Sequence, residues 1–118
     1  MSTTQKILGA VAVFGAVFFL MGAGGPVISG DEAKALVKQG ALLLDVRTGG
    51  EFASGHVEGA VNIPVEQLEA KLDAVPAKKD QAIVVYCHSG RRSAAAKQIL
   101  EKAGFARVSD LGAMSNWK

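Results

Sequence analysis

Four consecutive apolar residues, Ile83-Val84-Val85-Tyr86, run straight into a cysteine, and six residues later the chain has become a helix former. An uninterrupted, mostly β-branched run of this length is the pattern of a strand buried on both faces, as in the middle of a parallel sheet. The stretch Ala94-Ala95-Ala96-Lys97-Gln98-Ile99-Leu100-Glu101-Lys102-Ala103 is built of strong helix formers, with Ser93 as the expected cap and Gly104 as the stop. Between them lie Cys87-His88-Ser89-Gly90-Arg91-Arg92. A strand that turns directly into a helix places a tight loop at the helix N-terminus, where backbone N–H groups and the helix dipole favour an anion.

The sulfur of Cys87 sits at the start of that loop. Helix-end N–H groups, two guanidinium charges and a curled backbone all favour thiolate over thiol, which is the form that reacts. A lone cysteine is often a small buried hydrophobe. Its place at a strand end, followed by His88, Ser89, Gly90, Arg91, Arg92 and Ser93, favours a nucleophile within an anion-binding loop. His88 reads more simply as an exposed loop residue than as a proton carrier.

Composition narrows the alternatives. The 118 residues make room for one domain, and the net charge of +2 leaves no basic footprint for nucleic acid. One cysteine excludes an intrachain disulfide, and with two histidines there is no spaced ligand set for zinc.

The N-terminal quarter is of a different kind. Lys6 precedes a charge-free stretch over residues 7–28, solidly apolar to Met21. A signal peptide needs a basic start and about 7–15 apolar residues; a membrane anchor needs about 20. The best cleavage point, after Gly24, is a weak fit, so length favours an uncleaved anchor. Either reading puts the domain beyond the membrane: anchored outside the cytoplasm, or periplasmic or secreted if the segment is removed. The expected division is 1–26 for this segment and 27–118 for the domain.

Beyond Gly24-Gly25-Pro26, residues 31–39 read as an amphipathic helix closed by Gly40, with acids in its first turn. Ala41-Leu42-Leu43-Leu44-Asp45-Val46 reads as a second central strand. Asp45 is expected to pair with Arg47 or to cap a loop, and Arg47 with Glu51 reads as an ion pair that pins the loop. Two glycines, Gly49 and Gly50, suggest that this loop is loose. His56 reads as a structural histidine held by a hydrogen bond. Val61-Asn62-Ile63-Pro64 is a short strand, residues 65–72 a helix, 73–81 a surface loop and 105–109 a last strand, with Trp117 packed as a seal.

Several of these segments together resemble the single-domain rhodaneses, which are sulfurtransferases. Asp45-Val46-Arg47 with Glu51-Phe52 resembles that family's Asp-x-Arg…Glu-Tyr/Phe segment. Gly55-His56-Val57-Glu58-Gly59-Ala60-Val61-Asn62-Ile63-Pro64 resembles its Gly-His-Ile-x-Gly-Ala-x-Asn-Ile-Pro signature, and Tyr86-Cys87 with Gly90-Arg91-Arg92-Ser93 its active-site loop. Asp110-Leu111-Gly112-Ala113…Trp117 resembles its closing motif, with Ala113 in place of a second glycine. The resemblance implies an α/β three-layer fold, a central parallel sheet flanked by helices, here preceded by an apolar N-terminal helix. It implies transfer of a sulfane sulfur through a Cys87 persulfide from a small anionic donor such as thiosulfate to a thiol or cyanide. No cofactor or metal is required, no nucleic acid is involved, and the catalytic domain is expected to be monomeric. Two alternatives stand beside it: a sulfur-carrier module that works only with a partner, and a cysteine phosphatase or arsenate reductase. The latter needs an arginine six positions after the cysteine, where this chain has Ser93.

Overall fold

A computed structural model describes residues 26–118. The expected apolar N-terminal helix lies outside the described residues. Among those described, no helix is long and apolar enough to cross a membrane.

Four parallel strands form the sheet: β1 (Leu42–Asp45), β2 (Val61–Asn62), β3 (Ala82–Cys87) and β4 (Arg107–Ala113), in the spatial order β2-β1-β3-β4. The chain steps outward from β1 to β2, returns to lay β3 against β1, then steps outward the other way to β4. The carboxyl ends of β1 and β3 therefore flank the point where strand order reverses, which is where open α/β sheets bind ligands.

Helices cover both faces, and side-chain alternation shows why the strand sequences are apolar throughout. Ile83, Val85 and Cys87 point into one cluster with Leu44, Val46, Ala96 and Leu100, while Val84 and Tyr86 point into the other with Ala33, Leu43 and Leu111. Cys87 thus projects toward the face covered by α4 (Arg91–Lys102), so the loop has only to fold over its own sulfur.

The helix α1 (Gly30–Lys38) covers the second face and opens with a capping box, Ser29 exchanging hydrogen bonds with Glu32. Its first residue, Gly30, packs against the backbone carbonyl of Asn116 so closely that any Cβ would overlap it. Trp117, half-buried, joins this cluster from the closing 3-10 turn Met114–Trp117.

Four elements differ from the sequence expectation. The stretch after Thr48 is not loose: Gly49–Ala53 form a short helix, α2, because Thr48 and Glu51 build a second capping box that outweighs the two glycines. The helix α3 (Val65–Leu68) passes at Glu69 into a 3-10 stretch that runs to Ala74 and contains a kink at Lys71. The helix α4 begins at Arg91, with Gly90 at its N-cap in a left-handed conformation, so Ser93 lies inside the first turn and is not the cap. Finally, β4 starts later than expected, at Arg107, and extends through Ala113.

Candidate active site

Cys87 ends β3 with no exposed surface, and the loop that follows curls back over it. The turn is made by Gly90, whose φ of 102° suits a residue without a side chain. Its N–H points at Cys87 Sγ from 2.9 Å, and the N–H of Ser93, one helical turn further, approaches the same sulfur at 3.3 Å. The buried Ser93 hydroxyl donates to the Gly90 carbonyl at 3.0 Å, which ties the two donors to each other. Two N–H dipoles converging on one sulfur at a helix N-terminus favour negative charge there.

The two arginines of the loop differ. Arg92 donates to Glu51 through both terminal nitrogens, at 2.8 and 3.1 Å, joining the first turn of α4 to α2. Arg92 and the Thr48 N–H hold the Glu51 carboxyl well below the usual range, at about 2. Arg91 is exposed and has no such partner among the described residues. It stands with Ser89, Gly90, Ala94, Gln98 and Asn116 on a groove of about 710 Å³ beside the loop. His88 is exposed.

The expected ion pair between Arg47 and Glu51 is not formed. Glu51 is turned to Arg92, and Arg47 is taken up by Asp45, which accepts from its Nε, its terminal nitrogen at 2.7 Å and its backbone N–H. A second bond from the same nitrogen goes to the Gly55 carbonyl at 2.8 Å. Asp45 and Arg47 are both buried, so neither charge is offered to a ligand. The pair supports the loop that carries α2, as does His56, which stacks on Phe52 at 3.6 Å and bonds its carbonyl oxygen.

Three contributors were not singled out from sequence. Asn62 donates to the carbonyls of Asp45 and Arg47, holding the exit from β1. The Tyr86 hydroxyl accepts the Val57 N–H, and its pKa is pushed up to about 12 by burial and the Asp45 contact. Asp110, a buried carboxylate in the middle of β4, accepts the Gly112 N–H at 2.8 Å. An acid set between Val108 and Leu111 in a strand was the available signal for the last of these. Among the described residues, no group of three or more His, Cys, Asp or Glu side chains is placed to hold a metal ion.

Comparison with known proteins agrees with this geometry. Residues 29–118 match the family described as "Rhodanese-like domain". The chain is 34% identical over 109 residues to the human thiosulfate:glutathione sulfurtransferase, covering 80% of this chain and 95% of that one. It is 33% identical over 73 residues to the thiosulfate sulfurtransferase PspE of Escherichia coli, covering 62% and 70% of the two chains. The structure of the human single-domain sulfurtransferase TSTD1 superposes with a TM-score of 0.68 at 32% identity, over 79% of this chain and 95% of that one. With a strand-end cysteine cradled by backbone donors and nearly the whole described chain matched, this protein belongs to the rhodanese family of sulfurtransferases.

Proposed function

We propose that the protein moves a sulfane sulfur from thiosulfate, or a donor of the same anionic type, to a thiol through a persulfide on Cys87. The observation that carries the reading is the pair of backbone N–H groups directed at Sγ from 2.9 and 3.3 Å. The Cys87 thiolate attacks the outer sulfur of thiosulfate, forming a new S–S bond. The bond to the sulfonate sulfur breaks, and its electron pair leaves with sulfite. In the second half, an acceptor nucleophile takes the terminal sulfur and the electron pair of the broken S–S bond returns to Cys87. The cradle is suited to both charged states, because it offers fixed dipoles that need no reorganisation as charge appears.

Donor capture falls to Arg91. Arg92 is already matched by Glu51, whereas Arg91 stands on the rim of the groove with no carboxylate in the lining. Relatives named as thiosulfate and thiosulfate:glutathione sulfurtransferases support this choice of donor and acceptor. The charge-free stretch at residues 7–28 supports a location outside the cytoplasm, with the segment as membrane anchor or, if cleaved, as export signal.

A second reading, relay of sulfur inside a protein complex, is favoured by one observation: Cys87 has no exposed surface. A donor meets the sulfur only when the loop above it shifts, and a partner could drive that shift. Steady-state formation of thiocyanate from thiosulfate and cyanide separates the two. Sustained turnover by the purified chain is the result expected of a free-standing enzyme. Sulfur loading without turnover would favour the relay, and neither loading nor turnover would remove thiosulfate as the donor.

A further inference from the structure

Two carboxylates are buried in the strands, one ending β1 and one in the middle of β4, and they are satisfied in different ways. Asp45 is matched by a guanidinium. Asp110, only 3% exposed, spends an oxygen on the N–H of Gly112. Burying a carboxylate is costly unless its contacts replace the lost hydration, so its contacts define its role.

Those contacts lead to both donors that face Cys87. On the strand side, Val85 pairs with Asp110 but Tyr86 pairs with Gly112, leaving Leu111 as an extra residue in β4. The bulge puts Gly112 at a φ of 81° and lays it against Gly90, where a Cβ on Gly90 would stand 3.7 Å from the Gly112 Cα. Gly90 provides the closer N–H on Sγ. On the helix side, the Ser93 hydroxyl favours the ionised form of the Asp110 carboxyl. Ser93 provides the second N–H, and its hydroxyl bonds the Gly90 carbonyl.

We infer that Asp110 is a positioning residue for the sulfur cradle, holding the β4 bulge and the first turn of α4 so that the Gly90 and Ser93 N–H groups stay directed at Cys87 Sγ. It acts through these two residues and does not touch the reacting sulfur. Burial pushes its carboxyl above the usual range, while Ser93, the Gly112 N–H and the Lys97 ammonium oppose that shift. The inference rests on Cys87 being the reacting sulfur, but not on any particular donor.

The pH profile of Cys87 alkylation by iodoacetamide, measured on the reduced full chain, tests it without a sulfur donor. Access to the thiol scales the plateau of the profile; stabilisation of the thiolate sets its midpoint. Charge alone predicts that removing Asp110 moves the midpoint down, since a nearby anion has gone. Positioning predicts the opposite for Asp110→Ala: a rise of about one pH unit, a tenfold change in thiolate fraction. Asp110→Asn retains an oxygen for the Gly112 N–H and is expected to stay at or below the wild-type midpoint. Ser93→Ala removes the hydroxyl bond to the Gly90 carbonyl without changing charge and is expected to raise the midpoint by about half a unit, which keeps the test open if Asp110→Ala does not fold. The inference is overturned if Asp110→Ala sits at or below wild type, if Asp110→Asn rises as far as Asp110→Ala, or if Ser93→Ala leaves the midpoint unchanged. Failure of thiosulfate turnover would count against the proposed donor and leave this result standing.

Discussion

Arg91 and Arg92 are neighbours of the same type, yet the structure gives them different work. Arg92 is committed to Glu51 in a two-bond fork, a geometry that fixes position as much as it neutralises charge. Arg91 keeps an exposed charge at the groove. Replacing Arg91 with Ala is expected to lower kcat/KM for thiosulfate about tenfold, the scale of one charge-assisted contact, and to flatten its dependence on salt. Arg92→Ala is expected instead to lower thermal stability and to slow both half-reactions, because the first turn of α4 loses its tie to α2. Kinetics across a salt series for the two variants check this. Equal salt responses in Arg91→Ala and wild type would leave the backbone donors as the whole anion site. The sequence pointed to both arginines without distinguishing them, since Glu51 lies 41 residues away from Arg92 and nothing local indicates the partner. It made Arg47 the expected partner of Glu51 because Arg47 is close in sequence; Asp45, buried beside it, has the stronger claim.

At the scale of elements, capping decides more than composition. The helix α2 exists because Thr48 and Glu51 satisfy each other's backbone donors, and Glu51 at the same time holds Arg92. The ion pair has a defined pH window. Glu51 is depressed to about 2 from the 4.5 of the free group, so its contribution is complete above about 4.5 and is lost as pH falls through about 2. Thermal melts from pH 6 to 2 should therefore show wild type losing stability relative to Glu51→Gln in that window. Parallel melting curves would mean that the pair makes no difference to folding. Gly30 gives a second test. Its place against the Asn116 carbonyl leaves no room for a methyl group, so Gly30→Ala should lower stability by about 1–3 kcal/mol despite alanine's better helix propensity. Denaturant melts check the sign; a more stable variant would contradict the packing of α1 on the closing turn. The strands and α1 were readable as apolar runs and an amphipathic period. The shift of α4 to an Arg91 start was not, because left-handed Gly90 caps it through backbone geometry alone.

Across the whole molecule, the sheet and its two covered faces bring the ends of β1 and β3 together, and the site is assembled there from loops far apart in sequence. Residues 26–118 contain both apolar clusters, and Ile28 is already tied to Asp110 through its backbone N–H. A chain beginning at Pro26 is thus expected to unfold cooperatively, and loss of a single transition would place the domain boundary elsewhere. For the full chain, retention in membranes after alkaline extraction is expected of an anchor, and a mature N-terminus near Gly25 of a cleaved signal. The central claim is that Cys87 carries the sulfur. Mass measurement of the reduced full chain after exposure to thiosulfate tests it most directly. One sulfur atom should be added, mapped to the peptide containing Cys87, removed by cyanide, and absent from Cys87→Ser. No added mass on the wild-type chain, or an adduct that persists in Cys87→Ser, would contradict it.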